Sequence, residues 1–375
     1  MKEEFEIKNE NKRNFTFDLL YVLAIIMVVD VHVLCPINIL TNLFPYDSFF
    51  MPLFVFAAGY FFKRQSILKN IKHKVKKLLV PLTIWNIVML NIGLLIDNIF
   101  GTSWTFTQKF FLTFFWGTLT QLNGAAWFVI MLFWVSIAYN IIRNIFKKSK
   151  ANDLILTICF IWAGFIAVYL AINGVYKIGW YWSAILNFLF YIQFYHLGYI
   201  FKNYIEDKLN NKNKILILAS CIIINLILVL MFGEQIKFGN TRVMSGFFKW
   251  YLPIITSITG ILFWYIIMSY LASKIKENRY ITFVAKNTFT IMESHLLFAN
   301  FVSIICYILY CKGVPYFEKF DVKRFLATPW AAQAWERVNP SIGLVAFLVS
   351  ITLSILLALI IDKFKNAIKE VHKSY

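Results

Sequence analysis

Three ionisable residues lie inside the first long apolar stretch of the chain. Asp18, Asp30 and His32 interrupt the run DLLYVLAIIMVVDVHVL, which extends from 18 to 34. Such groups are costly within a membrane-length helix, so they mark an internal pairing or a functional site. Asp18 and His32 are 14 residues apart, within about 40° of one another on a helix and about 21 Å apart along its axis. An imidazole at that depth can act as a general base or as a nucleophile.

A second candidate group lies late in the chain, in TFTIMESHLLF. Glu293 and His295 are two residues apart, so their side chains diverge by about 200° on a continuous helix. We therefore expect one of them to face a site while the other pairs elsewhere. For His32 the alternative is a buried imidazole that only hydrogen-bonds to a neighbouring helix. The five cysteines show neither a CxxC pair nor a histidine spacing suited to zinc, and no metal is expected.

The densest positive charge lies between 63 and 77, where seven residues are Lys or Arg. This segment, which includes Arg64, Lys74 and Lys77, can contact anionic lipid. It can also bind a polyanionic cytoplasmic donor such as a nucleotide or coenzyme A, and the two interpretations do not exclude each other. Trp127, in NGAAWFVIMLFW, is either an interfacial anchor or part of the wall of a substrate cleft.

Composition indicates what kind of protein positions these residues. The chain is 60% hydrophobic and only 15% charged, whereas ordinary globular chains are about half apolar and about a quarter charged. Runs of about 20 apolar residues predict a single all-α, polytopic integral-membrane domain over 1–375. The segment 104–120 is shorter and aromatic, which favours an interfacial or re-entrant piece. We expect about ten spans, at 17–40, 46–62, 78–100, 125–146, 153–172, 179–201, 214–233, 250–272, 287–310 and 341–362.

The net charge of +18 comes from basic residues that lie in short clusters between the hydrophobic spans, where they set the orientation of the chain in the membrane. With the N-terminus inside, 27 of the 37 Lys and Arg residues fall in inner segments, so both termini are predicted to be cytoplasmic. The tail 1–14 and the loop 63–77 then lie inside, and the loop 311–340 lies outside. That outer loop either covers a site or forms a structural cap. The partner expected from this charge is membrane lipid, and nucleic acid is not expected.

Four stretches, in this order, resemble the membrane acyltransferase-3 family, in particular bacterial O-acetyltransferases of surface sugars. FDLLYVLAIIMVVDVH resembles its first helix, which ends in histidine, and FMPLFVFAAGYFFKR its Pro-Leu-Phe…Ser-Gly-Tyr helix. KVKKLLVPLTIW resembles its basic run before proline, and AKNTFTIMESHLLF its late Asn-Ser…His helix. AAWFVIMLF adds the Trp-Phe element of the family. The resemblance spans nearly the whole chain.

The sequence departs from that family at two positions. The family usually has Arg or Lys eleven residues before the first-helix histidine, and this chain has Tyr21. The serine of the second motif is Ala58. Eleven residues are about three turns, so Tyr21 still faces the same way as His32. The resemblance then implies either that another cation (Arg13, Lys74 or Lys77) takes the missing place, or that the activity is altered.

The resemblance implies transfer of an acyl group, acetyl before succinyl, from acetyl-CoA as co-substrate to a hydroxyl of a cell-surface or lipid-linked glycan. It also implies the bacterial cytoplasmic membrane as the location. In that interpretation the first helix has a donor-facing end at Asp18 and Tyr21 and a deeper catalytic residue, His32.

The remaining site residues receive predicted roles from the same resemblance. CoA phosphates would bind at Arg64, Lys74 and Lys77. His295 or Glu293 would polarise or orient the reacting groups. Trp127 and the outer loop would pack against the sugar.

Three other functions remain open from the sequence. A transporter or flippase of polysaccharide precursors more often shows inverted repeats and helices broken by Gly or Pro, and neither is evident. A glycan polymerase would present more chemistry in its outer loops, and only 311–340 offers that. The third is a non-catalytic homologue, consistent with Tyr21 in place of a cation.

Overall fold

The computed structural model describes residues 13–33, 49–101, 121–236, 242–327, 335, 338–339 and 341–373. These residues form a bundle of apolar helices. In a bilayer a spanning segment must satisfy its backbone hydrogen bonds internally, and the α-helix does so. The helices are α1 (Phe15–Val33), α2 (Phe50–Tyr60), α3 (Ile67–Lys74), α4 (Val80–Phe100), α5 (Trp127–Ile145), α6 (Lys150–Ile172), α7 (Trp180–Ile200), α8 (Asn211–Phe232), α9 (Leu252–Lys274), α10 (Arg279–Lys286), α11 (Thr288–Cys311), α12 (Val322–Ala327) and α13 (Ile342–Lys373).

Within the described ranges, nine helices are long and apolar enough to cross a membrane. They coincide with nine of the ten predicted spans. The remaining predicted span, 46–62, contains the shorter apolar helix α2 and begins outside the described residues. The predicted all-α, multi-pass membrane fold is confirmed. The predicted segment 104–120, and most of the tail 1–14, lie outside the described residues.

The basic segment 63–77, predicted as an inner connection between spans, is helical over most of its length. α3 begins at Ile67, passes through a π-helical turn at Val75–Leu79 and continues directly into α4. Pro81, in the first turn of α4, has no N–H to offer the carbonyl four residues earlier. A local π turn just before the proline accommodates that irregularity without ending the helix. The lysines therefore lie on a helix that extends from the membrane span.

α1 is the central helix of the bundle. It contacts α2, α9, α10, α11 and α13, and 13 of its 19 residues are buried. A helix that is apolar on every side is expected in a bundle interior. The few polar residues of α1 are therefore enclosed by other helices.

α2 and α7 cross at a pair of glycines. A Cβ added at Gly59 would lie 1.8 Å from the backbone oxygen of Tyr195, and one added at Gly198 would lie 1.9 Å from the backbone oxygen of Phe56. Small residues at such crossings let two membrane helices approach to backbone contact. The crossing fixes α2, and with it the start of the segment 61–66, against α7.

The described part of the predicted outer loop 311–340 packs as a cap. Phe325 of α12 is fully buried, and its ring lies 4.6 Å from that of Tyr307 and 5.1 Å from that of Phe100. Of the two interpretations of this loop, its described residues fit the structural one. Most of 328–340 lies outside the described residues.

Candidate functional site

The two intramembrane histidines meet inside the bundle. α1 carries His32 in its last turn, and α11 carries His295 at its eighth residue. Their ring centroids are 5.1 Å apart, and the rings are inclined by 57°. His295 is fully buried and His32 is partly buried. Residues separated by most of the chain thus form one imidazole pair.

Backbone carbonyls orient both rings in the same way. His32 Nδ1 lies 2.6 Å from the carbonyl oxygen of Val28, and His295 Nδ1 lies 2.8 Å from that of Met292. A carbonyl only accepts hydrogen bonds, so each Nδ1 carries a proton and donates it. In the neutral form of either ring the basic lone pair is then on Nε2. Nε2 of His295 is buried and has no hydrogen-bond partner among the described residues.

The helix that carries His295 is unusually polar on its buried faces. Thr290, Ser294, Asn300 and Ser303 of α11 are all buried, and the hydroxyl oxygens of Ser294 and Ser354 lie 2.9 Å apart across the contact with α13. Polar side chains buried between membrane helices hold those helices in register by hydrogen bonds. These contacts support His295 from the side of α13.

Glu293 lies on the same continuous helix as His295 and is fully buried. No unwinding separates the two residues, so their side chains still diverge by about 200°. The ring of His295 meets His32, and the expectation that one of the two residues faces a site while the other pairs elsewhere stays a prediction. The predicted polarising role of Glu293 stays a prediction.

Asp18 and Tyr21 lie at the other end of α1. Asp18 is buried and binds the Arg13 side chain at 2.5 Å, and it accepts a hydrogen bond from Thr282 of α10 at 3.1 Å. The ring of Tyr21 stacks on Phe54 at 5.9 Å. Along the helix axis these residues are about 21 Å and about 16 Å from His32. The structure therefore does not bring them to the histidine pair, and Arg13 is engaged by Asp18.

A basic cavity opens at this same end of the bundle. Its volume is about 530 Å³, and among the residues that the structure describes its lining includes five cationic side chains and no carboxylate; these cations are Arg64, Arg143, Lys147, Lys148 and Lys202. Such a cavity attracts phosphate-bearing ligands, which arginine and lysine bind through charge-assisted hydrogen bonds.

Amide side chains of α5 hold the chain beside Arg64 in place. Asn140 accepts a hydrogen bond from the backbone N–H of Gln65 and donates one to its carbonyl, both at 3.1 Å. Asn144 donates to the same carbonyl at 3.0 Å. Arg64 is therefore held against α5, which contributes Arg143 to the cavity.

Arg143 itself belongs to a buried network. Its guanidinium binds Asp153 at 2.5 Å and donates to the hydroxyl of Tyr199 at 2.9 Å. Asp153 also accepts from the hydroxyl of Tyr204 at 2.5 Å, and it lies in the first turn of α6, where a negative charge is favourable. The network fixes α5, α6 and α7 below the cavity.

Of the three predicted donor-binding residues, Arg64 lines the basic cavity, whereas Lys74 and Lys77 do not. The contributions of the residues that follow α5 and α7 were not predicted, because Lys147, Lys148 and Lys202 were interpreted only as topology signals. All three lysines lie in segments predicted to be on the inner side of the membrane, and this was the only indication that they belong to one site. Which of their side chains line one cavity depends on how the helices pack.

Trp127 begins α5 and borders a different, apolar groove on the membrane-facing side of α5 and α7. Its ring lies 6.1 Å from that of Tyr191. The 3-10 turn just before it, Gln121–Ala126, packs on α11. A Cβ added at Gly124 in this turn would lie 3.5 Å from the side chain of Leu296, the residue after His295. Trp127 is thus connected to the histidine pair through one packed turn.

A multi-pass helical bundle with buried imidazoles and a basic cavity at one end defines an integral membrane protein with an intramembrane polar site. The family model described as "Acyltransferase domain", of the acyltransferase-3 family, matches residues 14–362. The chain belongs to this family and is a membrane acyltransferase. Searches of curated proteins and of solved structures find no match.

Proposed function

We propose that the protein transfers an acyl group, acetyl before succinyl, from acyl-CoA to a hydroxyl of a cell-surface or lipid-linked glycan at the bacterial cytoplasmic membrane. The observation that carries this proposal is the His32–His295 pair, with ring centroids 5.1 Å apart inside a membrane acyltransferase. Acyl transfer to an alcohol needs a base near neutral pH, and imidazole is the side chain suited to it.

His32 acts on the acceptor in one of two ways. As a general base, its Nε2 takes the proton of the glycan hydroxyl while the oxygen attacks the thioester carbonyl. The C–S bond then breaks, and the CoA thiolate leaves and takes the proton. As a nucleophile, Nε2 attacks the thioester first, the C–S bond breaks and CoA leaves as its thiolate. The glycan oxygen then attacks the acyl-imidazole, the C–N bond breaks, and the hydroxyl proton passes to the thiolate. His295 orients the reacting groups from the opposite helix.

The basic cavity supports acyl-CoA as the donor. The phosphate groups of CoA match a cavity whose described lining has five cationic side chains and no carboxylate. Arg143 already binds Asp153, so Arg64 and the three lysines supply the charge for a ligand. The pantetheine arm would then run along α1, past Tyr21, towards His32, over about 21 Å of helix length. The basic cavity would serve the donor, and the far end of α1 would serve the acceptor.

Purified protein in nanodiscs, supplied with radiolabelled acetyl-CoA and a lipid-linked glycan, tests the proposal. We expect label in the glycan, and a loss of two to four orders of magnitude in rate for His32→Ala. His73→Ala is the matched control, because His73 is exposed on α3, and it should keep the wild-type rate. Equal rates for His32→Ala and wild type would refute the catalytic role. Folded wild-type protein that transfers neither acetyl nor succinyl would refute acyl-CoA as the donor and favour transport or a non-catalytic homologue.

Omitting the acceptor separates the two roles of His32. If His32 carries the acyl group, label accumulates on the peptide that contains it and disappears in His32→Ala. If His32 acts as a base, the protein stays unlabelled while transfer to glycan still occurs.

A further inference from the structure

An apolar groove runs along the outside of the bundle between α5 and α7. Its volume is about 540 Å³, and along α5 it extends from Trp127 to Ile141, which is about 21 Å of helix. The groove opens towards the membrane, since Trp134 and Ile185 in its lining are 50% and 43% exposed. A lipid-facing groove of this length fits an extended hydrocarbon chain.

One end of the groove is polar. Asn187 of α7 and Arg242, which precedes α9, both line it. Asn187 donates a hydrogen bond to the carbonyl of Arg242 at 3.0 Å, and Ser183 donates to the carbonyl of Val243 at 3.0 Å. These two bonds hold the segment that carries Arg242 against α7.

Arg242 and Asn187 are suited to bind different parts of a lipid head group. Burial lowers the pKa of Arg242, which means that its guanidinium has lost hydration, yet an arginine keeps its charge. Asn187 Oδ1 is buried and has no hydrogen-bond partner among the described residues, so it can accept from a ligand hydroxyl. A phosphate beside a hydroxyl-rich head complements both groups.

The groove is linked to α11, the helix that carries His295, through the turn that precedes Trp127. Trp127, at one end of the groove, directly follows the turn Gln121–Ala126, and that turn packs on α11 beside His295. A head group held at Trp127 is therefore one packed turn away from the candidate catalytic residues. This arrangement separates the acceptor from the basic cavity at the other end of α1.

We propose that this groove holds the lipid of a phosphate-linked glycan, with the phosphate on Arg242 and a sugar hydroxyl on Asn187 Oδ1. The inference rests on the proposed function and makes the membrane-anchored glycan, rather than the free glycan, the acceptor. The anchor enters sideways from the bilayer, and its sugar reaches His32 and His295 by way of Trp127.

Photo-crosslinking tests occupancy without requiring activity. The probe is a synthetic isoprenyl diphosphate-linked N-acetylglucosamine with a diazirine in its chain, and the protein is in phosphatidylcholine nanodiscs. We expect crosslinks to peptides between Trp127 and Ile141, and a reduction of about tenfold or more in Arg242→Gln. Arg242→Lys, which keeps the charge, should retain most of the labelling, and Arg324→Gln, an exposed arginine outside the groove, should not change it. A neutral ether analogue that labels the groove equally would show bulk lipid only and overturn the proposal.

Kinetics test whether the groove serves the acceptor. For the lipid-linked glycan we expect Arg242→Gln to raise KM about tenfold to a hundredfold, with little change for the same glycan released from its lipid. Equal KM values for both glycans in wild type, unchanged in Arg242→Gln, would refute this inference while the proposed function stands. Crosslinking that depends on Arg242, without transfer to any acceptor, would refute the acceptor role and the proposed function together, leaving an anionic-lipid site.

Discussion

Replacing Gly59 or Gly198 with alanine places a methyl group where the facing helix backbone already lies. The added Cβ atoms would lie 1.8 Å and 1.9 Å from backbone oxygens, whereas ordinary contact begins at 3.4 Å. α2 and α7 must therefore separate by about 1.6 Å in Gly59→Ala, because a backbone oxygen cannot rotate away as a side chain can. Overpacking of this kind costs about 1–3 kcal/mol. Alanine regains up to about 1 kcal/mol in helix propensity, so we expect a net loss of about 1–2 kcal/mol.

The loss should also appear in donor binding. Tyr60, next to Gly59, donates to Glu206 at 2.6 Å, and the ammonium of Lys202 lies 5.1 Å from the Tyr60 ring centroid. Separating the helices moves α2 away from Lys202, which lines the basic cavity together with Arg64. We expect a higher KM for acetyl-CoA in Gly59→Ala, with a smaller effect on kcat.

Thermal unfolding, followed by size-exclusion chromatography of detergent-solubilised protein, measures the stability change. The matched control is Gly124→Ala, because a Cβ there would meet only the Leu296 side chain at 3.5 Å. We expect wild-type stability for this control. If Gly59→Ala is as stable as wild type, or if Gly124→Ala is destabilised as much, the crossing does not hold the two helices as described.

Three further predictions concern the end of the bundle with the basic cavity. Arg143→Met should lose about 3–5 kcal/mol by leaving Asp153 buried without its cation, and Arg143→Met combined with Asp153→Leu should recover most of it in the same unfolding assay. Tyr265→Phe removes a 2.6 Å hydrogen bond to the carboxylate of Glu206 and should cost about 1.5–3 kcal/mol, again measured by unfolding. Lys202→Gln should raise the KM for acetyl-CoA and make it less sensitive to salt, which a titration of ionic strength measures.

Hydropathy was sufficient to predict the helices, because a bilayer forces each spanning segment to satisfy its own backbone. Hydropathy did not indicate the helix within 63–77, where the charges of Lys72, Lys74 and Lys76 hid an amphipathic helix that continues into α4. A helical period in that segment, rather than its mean hydropathy, was the usable signal.

The site was predictable only in part. His32 and His295 are recognisable one at a time, as ionisable residues in apolar runs. Their contact is not, since it depends on how α1 and α11 pack across more than 260 residues of sequence. The basic cavity escaped prediction for the same reason, because Arg143 and Lys202 lie on different helices.

The contacts of α1 have a consequence for how the protein is made. α1 leaves the ribosome before α10 and α11 do, and domains form from the N-terminus during synthesis. Yet Asp18 accepts from Thr282, and His32 meets His295, so these neighbours are made only after more than 260 further residues have been translated. Until then α1 must lie in the bilayer with polar groups that its final partners do not yet cover. We therefore expect chains truncated before α10 to be degraded by membrane-protein quality control, even though their first spans are complete.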